Sequence, residues 1–353
     1  MQQRLRMELT GTQIALWLIG GGLLAMVLIG SVRTLAVGKY TSKQWLDFIV
    51  FGLAQGGIYA LIALGYTMVY GILGMINFAH GEIFMSGPMI GYFFAIRMAR
   101  SGFVDRQPIL SLLIVLAVAM ITSTTIAVLL ERVAYRPLRG APRLVPLITA
   151  IGASFFLQYL FRGLFGADVK VYPDWDILSG KVPILGVQIL KTQLVVIIAA
   201  VLLMAGLYTF IQRTKMGKAV RAVAEDRAAA ALMGIDVDRT IAVSFALGGL
   251  MAGAGGLLYA LLFKQVFFLM GFVPGIKAFT AAVLGGIGNV PGAMLGGMFL
   301  GIFESIGPNL FLDGLGIPAP YQLKDVIAFT MLVMVLIFRP TGILGERLAT
   351  KRA

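Results

Sequence analysis

The sequence predicts an all-α membrane protein that crosses the bilayer several times. Of its 353 residues, 59% are hydrophobic and 13% are charged, whereas soluble proteins average roughly 45–50% apolar and about 25% charged residues. The mean hydropathy of +0.92 points the same way. Uncharged stretches also repeatedly reach the length of about 20 residues that a helix needs to cross a bilayer. A soluble enzyme, a disordered chain and a disulfide scaffold are therefore excluded as descriptions of the whole chain.

The uncharged stretches predict where the membrane helices lie. Five of them fit one span each: 9–32, 107–130, 144–161, 192–212 and 240–263. The longer stretch 48–81 predicts one span to about Gly74, a break, and a second span to about Ile96. The stretch 278–303 contains the glycine-rich segment 285–292 and predicts a broken helix or a re-entrant pair near 277–308. With a last span at about 321–338, we predict about eight full spans plus this interrupted element.

The charge distribution predicts the orientation in the membrane. The first apolar run follows Arg4 and Arg6, as in a signal peptide, but it exceeds the roughly 7–15 residues of a signal h-region. We therefore expect a retained helix. Lys and Arg concentrate in cytoplasmic loops, so the basic turn 132–143 and the loop 213–240 predict that both termini are cytoplasmic. In a membrane protein, the net charge of +13 indicates contact with anionic lipid, and we expect no nucleic acid partner.

Several kinds of chemistry have no basis in this composition. The chain has no cysteine and one histidine, which excludes thiolate catalysis and a multi-histidine metal centre. No G-x-x-x-x-G-K-[ST] phosphate loop occurs, so we expect no ATPase activity by that route, no catalytic residues, no metal site and no cofactor. Glu82 and Glu304 are the candidate intramembrane acids, which is few for an ion-coupled carrier. The energy for transport therefore comes from a partner, or the protein is a passive channel.

Two polar breaks within the apolar segments are the candidate substrate pathway. Backbone that leaves a helix inside the membrane has to be buried in protein or line a wet cavity. Interrupted helices in both halves of a transporter point to its substrate path. The alternative for each break is a packed kink or a polar turn at the membrane surface, with His80 structural and Glu82 placed to suit a helix dipole. The candidate pathway residues are Asn77, Phe78, His80, Gly81 and Glu82 in the first break, and Gly285, Gly286, Gly288 and Asn289 in the second.

The loop 213–240 is a candidate docking element. Its residues from Lys215 to Met233 predict one short amphipathic helix. Gly234 is expected to end this helix, and Asp238 is expected to cap the following span. A short amphipathic helix held between two spans can dock in a groove of a partner protein. The alternative is a solvated loop that rests on lipid headgroups.

Long strings of the sequence match one known family. They include 59–70, 74–82, 131–137, 224–226, 277–288 and 339–344. These strings resemble the membrane permeases of bacterial branched-chain amino acid ABC importers, specifically the H-type subunit. The resemblance implies a type II-like ABC importer permease whose core, 46–344, has two related halves. Residues 1–45, with the extra helix, resemble an extension beyond the usual family start, and 345–353 form a basic cytoplasmic tail.

The resemblance also implies a function and partners. It implies an inner-membrane permease that imports leucine, isoleucine and valine, driven by ATP that partner subunits hydrolyse. The implied partners are a second related permease, two cytoplasmic ABC ATPase subunits and a periplasmic substrate-binding protein, besides membrane lipid. Loop 213–240 would contact an ATPase through Arg221, Glu225, Asp226, Gly234 and Ile235. Because urea and amide permeases share the pattern at 77–82, such a sister permease is the first alternative, and an ion-coupled carrier or a membrane-embedded enzyme is less favoured.

Overall fold

The computed structural model describes residues 11–142, 144–184, 187–339 and 341–345. The predicted residues Arg4 and Arg6, and the tail 345–353 apart from Gly345, lie outside these ranges. Within them the chain is mainly helical, with two pairs of short antiparallel strands. The α-helices are α1 (Gly11–Val37), α2 (Ser42–Leu73), α3 (His80–Arg100), α4 (Phe103–Arg106), α5 (Pro108–Leu130), α6 (Leu144–Phe165), α7 (Lys191–Arg213), α8 (Lys215–Glu225), α9 (Arg227–Leu232), α10 (Val237–Phe263), α11 (Phe272–Gly285), α12 (Val290–Gly307) and α13 (Lys324–Phe338). The strands are β1 (Lys170–Val171), β2 (Lys181–Ile184), β3 (Val187–Leu190) and β4 (Gln265–Val266).

Eight helical segments of the described chain are long and apolar enough to cross a membrane. They are Trp17–Val37, Ser42–Leu73, Pro108–Leu138, Leu144–Phe165, Lys191–Arg213, Val237–Phe263, Val290–Leu312 and Pro320–Phe338. This number agrees with the prediction, although the membership differs. The predicted span to about Ile96 is α3, a buried helix of 21 residues that is more polar than the others. The predicted interrupted element instead contains one full span, which starts with α12.

The interrupted element is a short helix followed by a long one. Helix α11 has 14 residues and is therefore about 21 Å long at 1.5 Å per residue, which is less than the roughly 30 Å of the hydrocarbon core. Residues 286–289 form a turn, and α12 continues into a π-helical turn, Pro308–Leu312. A short helix, a turn and a longer helix fit the broken-helix alternative of the prediction, and a re-entrant path of α11 stays a prediction.

Charge alone misplaced the start of this element. Lys277 was expected to mark a membrane boundary, but it lies inside α11 and is only 3% exposed. Its Nζ lies 2.6 Å from Glu304 Oε1 and 2.6 Å from Asp325 Oδ1. Because carboxylates on α12 and α13 compensate its charge, the lysine can be buried, and α11 begins earlier, at Phe272.

Helices α2 and α10 form the centre of the molecule, and small residues bring their neighbours close. Gly52 and Gly56 of α2 face Gly301 and Met298 of α12. A Cβ atom built on Gly56 would lie 2.9 Å from the Met298 backbone, so only glycine permits this approach. Such close approach is how helices associate in lipid, where the hydrophobic effect contributes little. The glycines of α2 and α12 that lie four residues apart or face each other therefore mark helix contacts.

The strands lie in the connections between spans. Strand β1 pairs with β4, and β2 pairs with β3, both antiparallel. Beside them, the fully buried Trp175 donates from Nε1 to Ser111 Oγ at 2.8 Å. The Tyr172 hydroxyl donates to the Pro88 carbonyl at 2.6 Å. These bonds hold residues 172–175 against α3 and α5.

The additional N-terminal helix α1 packs at the edge of the bundle, against the π-helical turn Pro308–Leu312. After α1, Lys39 Nζ lies 2.8 Å from Asp313 Oδ1. The hydrogen bond to Asp313 raises the pKa of Lys39, although Lys39 itself is exposed. Most apolar side chains of α1 are exposed, as expected for a helix with a lipid-facing surface.

Candidate functional site

Helix α2 ends at a glycine, and the chain then forms an ordered break. Gly74 has φ 66°, a left-handed conformation that glycine adopts without strain, and its N–H donates to the Tyr70 carbonyl at 2.8 Å. In the segment that follows, Asn77 is buried. Its Oδ1 accepts from the Ala79 N–H at 3.1 Å and from the Tyr135 hydroxyl at 2.6 Å. The break is thus held by hydrogen bonds inside the protein.

Helix α3 begins inside the bundle rather than at its surface. His80, its first residue, packs against Gly65 of α2 and Gly248 of α10. Since Gly65 lies eight residues before Leu73, the His80 side chain contacts α2 at a point about 12 Å along the helix axis from its C-terminal end. The His80 ring also meets the Tyr66 ring edge-to-face, with centroids 4.8 Å apart. His80 therefore belongs to a helix contact, which is the structural role considered above.

The N-terminus of α11 meets the N-terminus of α3. A Cβ atom on Gly81 would lie 2.5 Å from the Gly271 carbonyl oxygen, and one on Gly275 would lie 3.1 Å from Gly81 Cα. Glycine at these positions lets the two backbones touch. Each helix N-terminus carries roughly half a positive charge. Two such ends therefore converge in the interior of the protein.

A cavity of about 240 Å³ opens beside these two helix ends. Its wall includes the backbone of Gly81, Gly271 and Gly275. Six apolar side chains and four polar ones complete the wall. The apolar ones are Phe78, Ile151, Phe155, Phe272, Ile276 and Phe279, and the polar ones are Tyr66, Glu82, Ser154 and Gln158. None of the described residues that line the cavity is basic.

Glu82 is the acidic group of this cavity. It is the third residue of α3 and is 1% exposed. Its Oε1 accepts from Ser154 Oγ at 3.1 Å and from Gln158 Nε2 at 2.6 Å. Its Oε2 has no hydrogen-bond partner. A carboxylate in the first turn of a helix interacts favourably with the helix dipole, which offsets part of the cost of burying this side chain.

The loop 213–240 contains two helices where one was predicted. Helix α8 ends at Glu225 because Asp226 has an extended backbone, with φ −152° and ψ 112°. The Asp226 carboxylate then caps α9, accepting from Ala228 N at 2.8 Å and Ala229 N at 3.0 Å. Gly234, with φ 81°, follows α9, as expected of the residue that ends it.

The cap of the next span also differs from the prediction. Asp236, not Asp238, caps α10, and its Oδ1 accepts from the Arg239 N–H at 3.0 Å. Asp238 instead pairs with Arg136 and Arg139. Since both acids lie near the start of α10, the sequence alone does not distinguish the cap from the ion-pair partner.

Arg227 joins this loop to the membrane helices. Its Nε donates to the Ile72 carbonyl at 2.9 Å, and its Nη2 donates to the same oxygen. Partial burial and then the charge of Arg139 lower the pKa of Arg227 from its ordinary value. Ile72 lies directly before the break of α2, so Arg227 connects α9 to the segment that leads to Gly81 and Glu82.

Comparison with known proteins identifies the family of this chain. Residues 48–336 match the family model described as "Branched-chain amino acid transport system / permease component". The chain belongs to this permease family.

Individual relatives carry more specific names. The chain is 44% identical over 306 residues to the high-affinity branched-chain amino acid transport system permease protein BraD of Pseudomonas aeruginosa, covering 86% of this chain and 96% of that protein. It is 41% identical to the permease protein LivH of Escherichia coli (strain K12), covering 86% and 98%. A more distant relative, the autoinducer 2 import system permease protein LsrC of Klebsiella pneumoniae, is 34% identical over 54% of this chain and 55% of that protein.

The permease brings only part of the predicted pathway residues to the cavity. Phe78, Gly81 and Glu82 line it, whereas Asn77 and His80 are buried and do not line it. In the second half of the chain, the start of α11 lines the cavity. Residues 285–289 do not line it.

The second break of the permease is instead a packed turn. The Gly285 carbonyl accepts from the Leu344 N–H at 3.0 Å, and Asn289 Nδ2 donates to the Leu344 carbonyl at 2.9 Å. Gly286 and Gly288 have φ values of 106° and 95°, which explains why glycine occupies this turn. The packed-kink interpretation fits the second break, and its role in a pathway stays a prediction.

Sequence reasoning missed three polar residues of the site, Tyr66, Ser154 and Gln158. Ser154 and Gln158 lie four residues apart and face the same side of α6. Two hydrogen-bonding side chains at this spacing in an apolar span are a usable signal. Sequence reasoning also missed Lys277, because a lysine was taken to mark a membrane edge.

Proposed function

We propose that this chain is the permease subunit of an ATP-driven importer for branched-chain amino acids. The observation that supports this most is the partly open cavity, which is lined by six apolar side chains, one buried carboxylate and two helix ends. The names of the relatives BraD and LivH indicate the same substrate class. LsrC, whose name gives autoinducer 2 as its cargo, shows that related permeases differ in substrate. The proposed substrate class of this chain therefore depends on the residues that line its cavity.

The wall of the cavity favours an aliphatic amino acid over urea or a short amide. Phe78, Phe155 and Phe279 present aromatic faces, and Ile151 and Ile276 present branched ones. Full burial of a leucine, isoleucine or valine side chain is worth about 1.5–3 kcal/mol. Urea has no apolar group that could gain from this wall. The polar end of the cavity, in contrast, suits the charged groups of an amino acid.

The loop 213–240 is proposed to couple transport to an ATPase. Leu232 and Met233 are 88% and 82% exposed, which is unusual for large apolar side chains next to charged residues and suits a protein groove. Glu225 and Asp226 are also exposed. Movement of α9 would act on the end of α2 through Arg227 and from there on the break before α3. ATP is used by the partner and not by this chain.

The assembly proposed for this permease follows from the same reasoning. A second related permease would complete the pathway, two cytoplasmic ABC ATPases would dock on loop 213–240 and its counterpart, and a periplasmic binding protein would deliver substrate. The basic turn 132–143 and the basic loop 213–240 support a cytoplasmic location for those segments and for both termini in an inner membrane.

Reconstitution into proteoliposomes tests the proposal. The complete transporter is supplied with loaded binding protein outside and ATP inside, and uptake of radiolabelled leucine is measured. We expect uptake that requires ATP and the ATPase subunits and persists when an uncoupler dissipates ion gradients. Excess isoleucine or valine should compete, whereas excess urea should not. ATP-independent accumulation would overturn the energy source, uptake lost with the uncoupler would indicate an ion-coupled carrier, and competition by urea would overturn the substrate class.

A further inference from the structure

One carboxylate oxygen of the cavity has no partner inside the protein. Glu82 is 1% exposed, and Ser154 and Gln158 both donate to its Oε1. Its Oε2 accepts from no group. Buried carboxylate oxygens are normally hydrogen-bonded or paired with a cation, because an unsatisfied charged oxygen is costly. Glu82 also lines the cavity, so the donor that this enclosed oxygen lacks can come from the occupant of the cavity.

The missing donor is not supplied by the wall of the cavity. Ser154 and Gln158 donate to Oε1, and Tyr66, which also lines the cavity, makes no hydrogen bond to Glu82 in the described structure. None of the described lining residues is Lys, Arg or His. The cavity of about 240 Å³ is close to the lower limit of roughly 300 Å³ for pockets that take drug-sized ligands, and an amino acid is smaller than those. A donor for Oε2 therefore has to come with the occupant, and a cationic donor would also compensate the charge of the carboxylate.

The surroundings of Glu82 restrict the charge of that occupant. The N-termini of α3 and α11 meet at Gly81 and Gly271, and each contributes roughly half a positive charge. Together they offset much of the negative charge of Glu82. A ligand with a net positive charge would be repelled by the helix ends. A zwitterion has the required ammonium group with no net charge.

We propose that Glu82 binds the α-ammonium group of the transported amino acid through Oε2, while Ser154 and Gln158 hold Oε1. This inference rests on the proposed function and names the group that recognises the substrate. The apolar side chain of the amino acid then lies against Phe78, Phe155 and their neighbours. The Ser154 and Gln158 hydrogen bonds keep the carboxylate from turning away.

A pair of ligands that differ only in the ammonium group tests this contact. Leucine and 4-methylpentanoate share the carboxylate and the branched chain, but the latter lacks the ammonium group. Equilibrium binding of both radiolabelled compounds is measured on the complete transporter in nanodiscs, without binding protein. For the unmodified transporter we expect leucine to bind at least about tenfold more tightly, as for a charge-assisted hydrogen bond. In Glu82→Gln this ratio should fall to about threefold or less, because the amide directs a donor at the ammonium group.

Two further variants separate binding from folding. Glu82→Asp keeps the charge and should retain part of the preference for leucine. Glu131→Gln changes another buried glutamate, which pairs with Arg139 and does not line the cavity, and it should keep the full ratio. A ratio of two affinities does not depend on the fraction of protein folded, so a folding defect cannot imitate the expected result.

The possible outcomes decide the inference separately from the proposed function. An unchanged ratio in Glu82→Gln, or no preference for leucine in the unmodified transporter, overturns the role of Glu82. If the unmodified transporter shows ATP-driven leucine uptake in the same preparation, the proposed function survives that result. Absence of such uptake counts against the proposed function itself.

Discussion

Replacing Lys277 by methionine should destabilise the permease, because the change leaves the buried Glu304 without its cation. Lys277 and Glu304 are 3% and 1% exposed, and their charged atoms lie 2.6 Å apart. The second partner, Asp325, is 43% exposed, and pairs with an exposed member contribute only about 0–1 kcal/mol. Removing one member of a buried pair, in contrast, costs about 3–5 kcal/mol. The buried pair therefore dominates the effect.

Neighbouring groups of Glu304 place the expected loss at the lower end of this range. Gln55 Nε2 still donates to Glu304 Oε1 at 2.9 Å, and Lys324 Nζ lies 3.9 Å away. We therefore expect a loss of about 3 kcal/mol in the free energy of unfolding. In a long chain about 1 kcal/mol corresponds to roughly 2 °C, so Tm should fall by roughly 6 °C.

Thermal unfolding of the purified transporter in detergent, followed by size-exclusion chromatography, measures this change. Lys264→Met is the matched control, because its ion pair with Asp174 has 37% and 77% exposed side chains and is worth at most about 1 kcal/mol. The double variant Lys277→Met/Glu304→Gln removes both buried charges and should recover most of the lost Tm. If Lys277→Met shifts Tm no more than Lys264→Met, or if the double variant is worse than the single one, the reasoning about the buried pair is refuted.

Three further changes test the cavity and the coupling loop. Gly271→Ala forces a Cβ atom against the backbone of α3, so it should lower the free energy of unfolding by about 1–3 kcal/mol and reduce leucine uptake. Gly206→Ala, whose added Cβ atom would meet nothing within 4 Å, should change neither quantity. Equal effects of the two variants would contradict the contact between the helix ends. Arg227→Ala removes the hydrogen bonds to the end of α2. The assembled transporter should therefore still hydrolyse ATP but import fewer leucine molecules per ATP hydrolysed. An unchanged number of leucine molecules per ATP would argue against coupling through Arg227. Charge reversal at Glu225 and Asp226 should weaken assembly with the ATPases, as measured by co-purification, or uncouple ATP hydrolysis from leucine uptake, as measured by transport. Unaltered transport would indicate that the loop is a solvated surface element and not a docking element.

Much of the fold could be predicted from the sequence because its signals are local. The end of α2 follows from Gly74, and the start of α3 follows from the polar residues that come after it. The uncharged stretches placed the long spans within a few residues. The two errors in loop 213–240 have local causes as well: Asp226 both ends α8 and caps α9, and Asp236 competes with Asp238 for the same cap.

The candidate site was predicted in part. Phe78, Gly81 and Glu82 stood out because polar or small residues interrupt an apolar run. Ser154 and Gln158 did not stand out, because a span tolerates a few neutral polar residues. The partnership between Glu82 and Gln158 joins residues 76 positions apart, and no property of either segment alone specifies it.

The sequence by itself determined the class of protein, the approximate spans and the presence of two breaks, because the contrast between lipid and water acts on each segment separately. Only the tertiary structure decided that the first break borders the cavity while the second packs against residues 341–345. It also decided that Lys277 is a buried ion-pair partner. These outcomes depend on which distant backbones and charges meet, and such contacts arise only when the helices pack together.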